Sequence, residues 1–349
     1  MVRGLVLSAE DALQRRVAGA LVRLGRPVRV QAFPGLAAGG AVRVGGRVLL
    51  GSAATGPRRP ARLSTWSALR ANLSQFTTFE VPGARVRVEV GGRARVVEAD
   101  REGYVEVLVD DVLLPPGRHA ATLRPVDPPG EAGRGTVHVP DPDADVVVVS
   151  DVDDTIVDSG IAAGLLATVT TALLRDAATR VPLDGAPELY RALARGTADG
   201  PERSFVYLST SPWNLLGFLQ GFLARHDFPD GPLLLTDWGP GRAGLLRVGT
   251  REHKLTALRR LAVGLPRPRF VLLGDSGQQD AEIYTAFALE HPDRVAAVYI
   301  RRAGTADARG QQRLVDCTRA LTEVGVPFVL ADDSAAMLRH AQDLGLARR

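Results

Sequence analysis

Four consecutive valines, Val146 to Val149, run into Ser150 and then abruptly into Asp151, Asp153 and Asp154. β-branched side chains restrict the backbone toward extended conformations. The lack of polar alternation means that both faces of the strand are covered, which is the setting of a central strand in a parallel sheet. Carboxylates at the C-terminal end of such a strand stand where open α/β sheets collect their ligands. By itself an acidic loop after a strand is only a turn with good helix caps. Three downstream segments change its meaning.

Phe205 to Ser211, FVYLSTS, is a second apolar run ending in hydroxyls, and His253-Lys254 opens an amphipathic stretch. Phe270 to Asp280, FVLLGDSGQQD, is a third run ending in carboxylates. DxDxT closed by Thr155, a strand-terminal Ser209, Lys254, and GDxxxxD with Asp275 and Asp280 resemble, in content and order, the four motifs of the haloacid dehalogenase-like hydrolases.

The expected fold follows from that order. From Asp145 onward strand and helix alternate, as a doubly wound parallel sheet requires. Strands are expected near 146–150, 204–209, 270–274, 295–300 and 326–330. Helices are expected near 162–178, 186–195, 213–226, 252–263, 279–290, 310–324 and 333–344. Every motif lies at a strand's C-terminal end or at the start of the next element, so one crevice can gather them.

Residues 1–140 read differently. Residues 8–24 form an amphipathic helix with Leu13, Val17, Ala20 and Leu21 on one side, fit to dock on the domain or to lie on a membrane. Period-two runs follow: AVRV-GG-RVLL (41–50) and RVRVEV-GG-RARVVE (85–98) are each expected to be a hairpin turning at Gly-Gly. Further runs at 104–109, 119–123 and 136–139, with a helix near 63–76, argue a small antiparallel sandwich or barrel. The Pro-, Gly- and Asp-rich tract 128–145 connects it to the second domain. The chain is thus read as a β-rich domain (1–140) followed by a haloacid dehalogenase-like catalytic domain (141–349).

Charge divides along the same line. Residues 1–140 carry 20 arginines against 12 acids, net +8, while residues 141–349 carry 23 basic residues against 27 acids, net −4. A positive domain can attract an anionic membrane surface, although arginines are also simply solvated; no specific nucleic acid is expected. Lys254 is the one lysine among 43 basic residues, so a compact ammonium is wanted there in place of a planar guanidinium. The single cysteine, Cys317, excludes an internal disulfide and reads as a small buried residue. No apolar run reaches the roughly 20 residues that span a bilayer, and no secretory signal is evident. The expectation is a soluble, cytoplasmic protein with room for peripheral membrane contact.

Phosphoryl transfer through an enzyme carboxylate needs a nucleophile, a metal, a positive charge and an acid. The resemblance implies Asp151 as nucleophile and Asp153 as general acid and then base. Ser209, Thr155 and Lys254 would contact the phosphoryl group, and Lys254 would offset charge at the nucleophile. Mg²⁺ would be held by Asp151, the Asp153 carbonyl and Asp275, with Asp280 in support or capping the following helix. Asp154 and Asp158 read as loop structure and Ser211 as a helix N-cap.

A narrower resemblance, over about 145–302, is to the phosphatidate phosphatase App1 family. It rests on SDVDDTIVDSG, TRVPLDG (179–185), YLSTSPWNL (207–215), LLLTDWG (233–239), HKL (253–255) and GDSGQQDAEIY (274–284). This implies Mg²⁺-dependent removal of phosphate from phosphatidate to give diacylglycerol. The 50 or so residues between the first two motifs are too few for a closed lid, which fits a large or surface-embedded substrate. A phosphoprotein or a nucleic-acid end would fit equally, as would a phosphate-binding scaffold without turnover; only the family resemblance favours lipid.

Overall fold

The valine run forms β9 (Val146–Ser150), and all five of its residues are buried. The computed structural model describes residues 16–51, 79–153, 155–156, 181–197, 202–236, 250–303 and 307–349. The helices expected at 63–76 and 162–178, residues 8–15 of the first helix, and Asp154 and Asp158 lie outside them. The described residues form two compact units, one ending at Val139 and the other starting at Pro140.

In the second unit β9 is followed by α1 (Ala186–Arg195), β10 (Phe205–Pro212), a 3₁₀ turn (Trp213–Leu215), α2 (Leu216–Arg225), β11 (Leu233–Thr236) and α3 (Thr250–Gly264). Then come β12 (Arg269–Asp275), α4 (Asp280–Glu290), β13 (Val295–Arg301), α5 (Ala308–Glu323), β14 (Phe328–Ala331) and α6 (Ser334–Asp343). The six strands lie in the order β11-β10-β9-β12-β13-β14, every neighbouring pair parallel. The chain steps outward from β9 to β11, then returns to the other side of β9 and steps outward again. The reversal lies at β9, which opens a crevice at the C-terminal ends of β9, β10 and β12.

Register brings the motifs level. Ser150 pairs with Tyr207 on one side and Leu273 on the other, so the residues that follow on all three strands emerge at one height. Asp151 N donates to Leu273 O at 2.8 Å, holding the turn after β9 against β12. Each strand expected in this region is present, and β11 is a further one, a four-residue edge strand too short for a clear pattern.

Arg203, buried, ties together the start of β9, the end of α1 and the C-terminal segment. Its Nε donates to Asp145 Oδ1 at 2.9 Å, and its Nη1 to the carbonyls of Leu193 at 3.3 Å and Leu346 at 2.5 Å. The Arg203→Ala protein is expected to lose about 2 kcal/mol in denaturant melts, because two carbonyls forfeit a charged donor. The hydrogen bond from Arg203 holds the Asp145 carboxyl below its ordinary pKa. That part of the stability is present above the unfolded carboxyl's pKa, near 4, and is lost as pH falls through the lower folded value, so the two proteins converge in acid.

The first unit carries β1 (Val28–Ala32), β2 (Gly35–Ala38), β3 (Ala41–Leu50), β4 (Arg85–Val90), β5 (Arg93–Glu98), β6 (Tyr104–Val109), β7 (Gly117–Asp127) and β8 (Gly133–Val139). They form one sheet, β1-β3-β2-β8-β7-β4-β5, with β6 on β3. The pairing is antiparallel except for β2 with β8, which is parallel and departs from the antiparallel expectation. Residues 16–23 are helical, and the helix docks through Ala18, Leu21 and Val22, whereas Val17 and Ala20 of the expected face are exposed.

The two Gly-Gly pairs behave differently. Gly91 and Gly92 have φ of 55° and 75° and turn β4 into β5, as a two-residue hairpin demands. Gly45 and Gly46 sit inside the continuous strand β3. A Cβ on Gly46 would lie 2.8 Å from Gln31 O and 2.9 Å from Leu123 Cδ2. The pair there permits close backbone approach, and the expected hairpin at 41–50 is corrected to one strand.

Candidate active site

The residue after β9, Asp151, has no exposed surface. Both its carboxylate oxygens are engaged: Lys254 Nζ donates to Oδ1 at 2.6 Å, and Thr155 Oγ1 to Oδ2 at 3.3 Å. Behind it, Ser150 Oγ donates to the Asp151 carbonyl at 2.5 Å and lies 2.6 Å from Tyr190 OH. Neither Ser150 nor Tyr190 was singled out by its sequence context, since a serine ending a strand and a tyrosine in a helix are common.

Lys254 reaches Asp151 from α3. On that helix Lys254, Leu258 and Leu261 recur at the spacing of one face, and all three are buried. The ammonium thus occupies a position the pattern reserves for an apolar side chain. Its second partner is Asp280 Oδ1, at 2.5 Å. Asp280 opens α4 but does not cap it: the N-cap is Gln279, with no side-chain cap bond. Room for Asp280 comes from Gly274, where a Cβ would lie 2.6 Å from Asp280 Cβ.

Asp275 ends β12. Its Oδ1 accepts Gly277 N at 2.6 Å and Gln278 N at 2.9 Å, whereas its Oδ2 is buried without a hydrogen-bond partner. Ligand oxygens of Asp151, Asp275 and Asp280 all lie within 4.8 Å of one another.

Asp153 turns toward β10. Ser209 Oγ donates to its Oδ2 at 2.9 Å and Ser211 Oγ to the same oxygen at 3.0 Å. Ser211 is therefore not a helix N-cap; it lies in β10, two residues from Ser209 and on the same face. That spacing was the signal available in the sequence. The seven site residues expected from the motifs thus fall into two adjoining groups, Asp151 with Thr155, Lys254, Asp275 and Asp280, and Asp153 with Ser209.

The electrostatics follow from burial. For Lys254, burial favours the neutral amine, but the carboxylates of Asp151 and Asp280 outweigh it and hold the ammonium charged. For Asp151, burial raises the carboxyl well above its ordinary range against the pull of Lys254, with Asp280, Asp153 and Asp275 adding to the rise. Burial, then Asp280, pushes Asp275 up to about 8. Three buried carboxylates against one ammonium would carry a formal charge of −2 if all were ionised, an arrangement a dry interior resists. The partnerless Asp275 Oδ2 and this surplus of hard oxygen donors both fit a small divalent cation.

Comparison with known proteins bears on the same segment. Residues 146–302 match the family model described as phosphatidate phosphatase APP1, catalytic domain. Over 154 residues, 44% of this chain and 25% of the other, the sequence is 29% identical to phosphatidate phosphatase APP1 of Saccharomyces cerevisiae. Over 160 residues, 45% of this chain and 25% of the other, it is 26% identical to an uncharacterized protein of Schizosaccharomyces pombe. The chain spans about a quarter of the length of these curated relatives. Among solved structures, a carbohydrate acetylesterase from Xanthomonas citri aligns over 90% of this chain and 75% of its own at 13% identity and a TM-score of 0.30, a likeness too slight to bear on the fold. The resemblance read from the motifs therefore holds for residues 146–302, which are related to the APP1 catalytic domain. No helix among the described residues is long and apolar enough to cross a membrane.

Proposed function

We propose that the second unit is a Mg²⁺-dependent phosphatase of haloacid dehalogenase-like fold, acting through an aspartyl phosphate and releasing phosphate from phosphatidate or a closely related lipid phosphate. The observation that carries the reading is the buried Asp151–Lys254–Asp280 cluster beside the partnerless Asp275 Oδ2. The relationship to the APP1 catalytic domain supports the lipid substrate.

In this reading a carboxylate oxygen of Asp151 attacks phosphorus, and the bond from phosphorus to the leaving oxygen breaks as that oxygen takes the proton of the Asp153 carboxyl. Water then attacks the aspartyl phosphate and gives its proton to the Asp153 carboxylate. Phosphate leaves and the Asp151 carboxylate is regenerated. Lys254 offsets negative charge at the nucleophile throughout. Asp151, Asp275 and Asp280, with the Asp153 carbonyl, would hold the Mg²⁺, which when bound screens the phosphate from the carboxylate it must approach. The partner proposed for the first unit is an anionic bilayer: exposed Arg87 and Arg124 face each other across β4 and β7, and exposed Arg134 lies on the same sheet face.

Phosphate release by the full chain is the test, run with dioctanoyl phosphatidate, a phosphoserine peptide and a 5′-phosphorylated oligonucleotide. Release from phosphatidate is expected in Mg²⁺, falling at least a hundredfold with excess EDTA and returning when Mg²⁺ is restored. Release from the peptide or the oligonucleotide alone would replace the lipid. Turnover unaffected by EDTA would remove the metal from the reading, and no turnover on any substrate would overturn it.

A further inference from the structure

Ser211 is a buried hydroxyl at the site to which neither the motifs nor the mechanism above gives a task. Its Oγ lies 3.0 Å from Asp153 Oδ2 and 3.3 Å from Oδ1, so it spans the carboxyl group. Its backbone N donates to Ser209 Oγ at 2.9 Å, and Ser209 Oγ in turn donates to Asp153 Oδ2. Ser209 is therefore already oriented by Ser211, and both hydroxyls converge on one carboxyl oxygen. Two donors on Oδ2 bias a transferable proton toward Oδ1, because an oxygen that already accepts two hydrogen bonds has little room to be the acid oxygen as well.

We infer that Ser211 is a positioning residue for proton transfer: with Ser209 it pins the Asp153 carboxyl so that Oδ1 delivers the proton to the leaving oxygen. The inference rests on the phosphatase reading above and goes beyond it, since it assigns to the second serine of FVYLSTS a role that acts only through Asp153. The step is the one already balanced: the Asp153 O–H bond breaks, the leaving oxygen gains that proton as its bond to phosphorus breaks, and the carboxylate remains between the two serines. Ser211 exchanges no proton with the substrate.

Leaving groups that differ in their need for a proton separate this role from a merely structural one. An alkoxide leaves poorly unless protonated, whereas p-nitrophenolate is a stable anion near neutral pH. kcat/KM reports the chemistry up to departure of the leaving group and so excludes hydrolysis of the aspartyl phosphate. The full-length Ser211→Ala protein is expected to lose about ten- to a hundredfold in kcat/KM on dioctanoyl phosphatidate, the scale of one hydrogen bond to a charged group. Its loss on p-nitrophenyl phosphate is expected to be at least about fivefold smaller. Ser211→Cys fills the same space with a weak donor and should show the same selectivity, which keeps the comparison available if the alanine variant does not fold. Equal losses on the two substrates, or no loss on either, would overturn the positioning role and leave the phosphatase reading intact. A wild-type protein inactive on both would overturn the phosphatase reading itself, and this inference with it.

Discussion

The Asp151→Asn protein is expected to fold as the wild type does and to release phosphate at less than about one-thousandth of its rate. The amide is nearly isosteric with the carboxylate but cannot attack phosphorus, and loss of a covalent route costs several powers of ten. The fold should survive because the substitution removes a buried negative charge without leaving the ammonium unpaired: Lys254 keeps Asp280 at 2.5 Å. Phosphate release measured beside a thermal melt checks both halves. Residual turnover above about a thousandth, from a protein with an unchanged melt, would mean that another group attacks phosphorus.

Substitution of Lys254 is expected to reach further, into stability as well as rate. In Lys254→Met a chain of similar length stays in place, but Asp151 and Asp280 lose the ammonium that both contact, and neither has any exposed surface. Breaking a buried pair from one side costs about 3–5 kcal/mol, and the rate should fall at least about a hundredfold as charge at the nucleophile goes unbalanced. The pH dependence has a definite sign. Burial already raises the Asp151 carboxyl, and Lys254 is the influence that opposes the rise. Without it the folded pKa moves further above the unfolded value near 4. Stability is then fullest in acid and is lost as pH rises through the folded value. Wild type loses stability in the same way up to its own raised folded value, so the deficit against wild type should widen only above that value, well above about pH 4. A deficit that stays constant with pH would show that the carboxylates do not depend on the ammonium. Lys254→Arg should also lose activity, since the planar guanidinium is wider than a site that contacts a single nitrogen at 2.5 and 2.6 Å.

Much of the second unit is legible in one dimension. A strand of four valines can be satisfied only between two covered faces, so the parallel sheet and its central strand follow from Val146 to Val149. Helices expected at 186–195 and 279–290 appear as Ala186–Arg195 and Asp280–Glu290, the first because its apolar residues Leu189, Tyr190 and Leu193 recur on one buried face. The chemical residues are legible for a related reason: they interrupt apolar runs at strand ends, and the chain's one lysine sits where a helix would otherwise bury a leucine.

Where a residue's role depends on a partner distant in sequence, the pattern is silent. Ser211 followed by Pro212 and Trp213 has the local signature of a helix start, yet its hydroxyl goes to Asp153, 58 residues earlier. Asp280 has the signature of a cap, yet its carboxylate meets Lys254 from another helix. Gly45-Gly46 and Gly91-Gly92 are the same dipeptide; the second turns the chain at positive φ, while the first stays extended where a neighbouring strand approaches Gly46 too closely for any side chain. Burial face and backbone preference are properties of neighbours along the chain, and these the sequence by itself determined: the sheet, its central strand, and which polar residues would stand at its edge. Which carboxylate each hydroxyl and the lone ammonium would meet, and which oxygen would be left without a partner, depends on atoms brought together only by strand order and register, and so was decided by the tertiary structure.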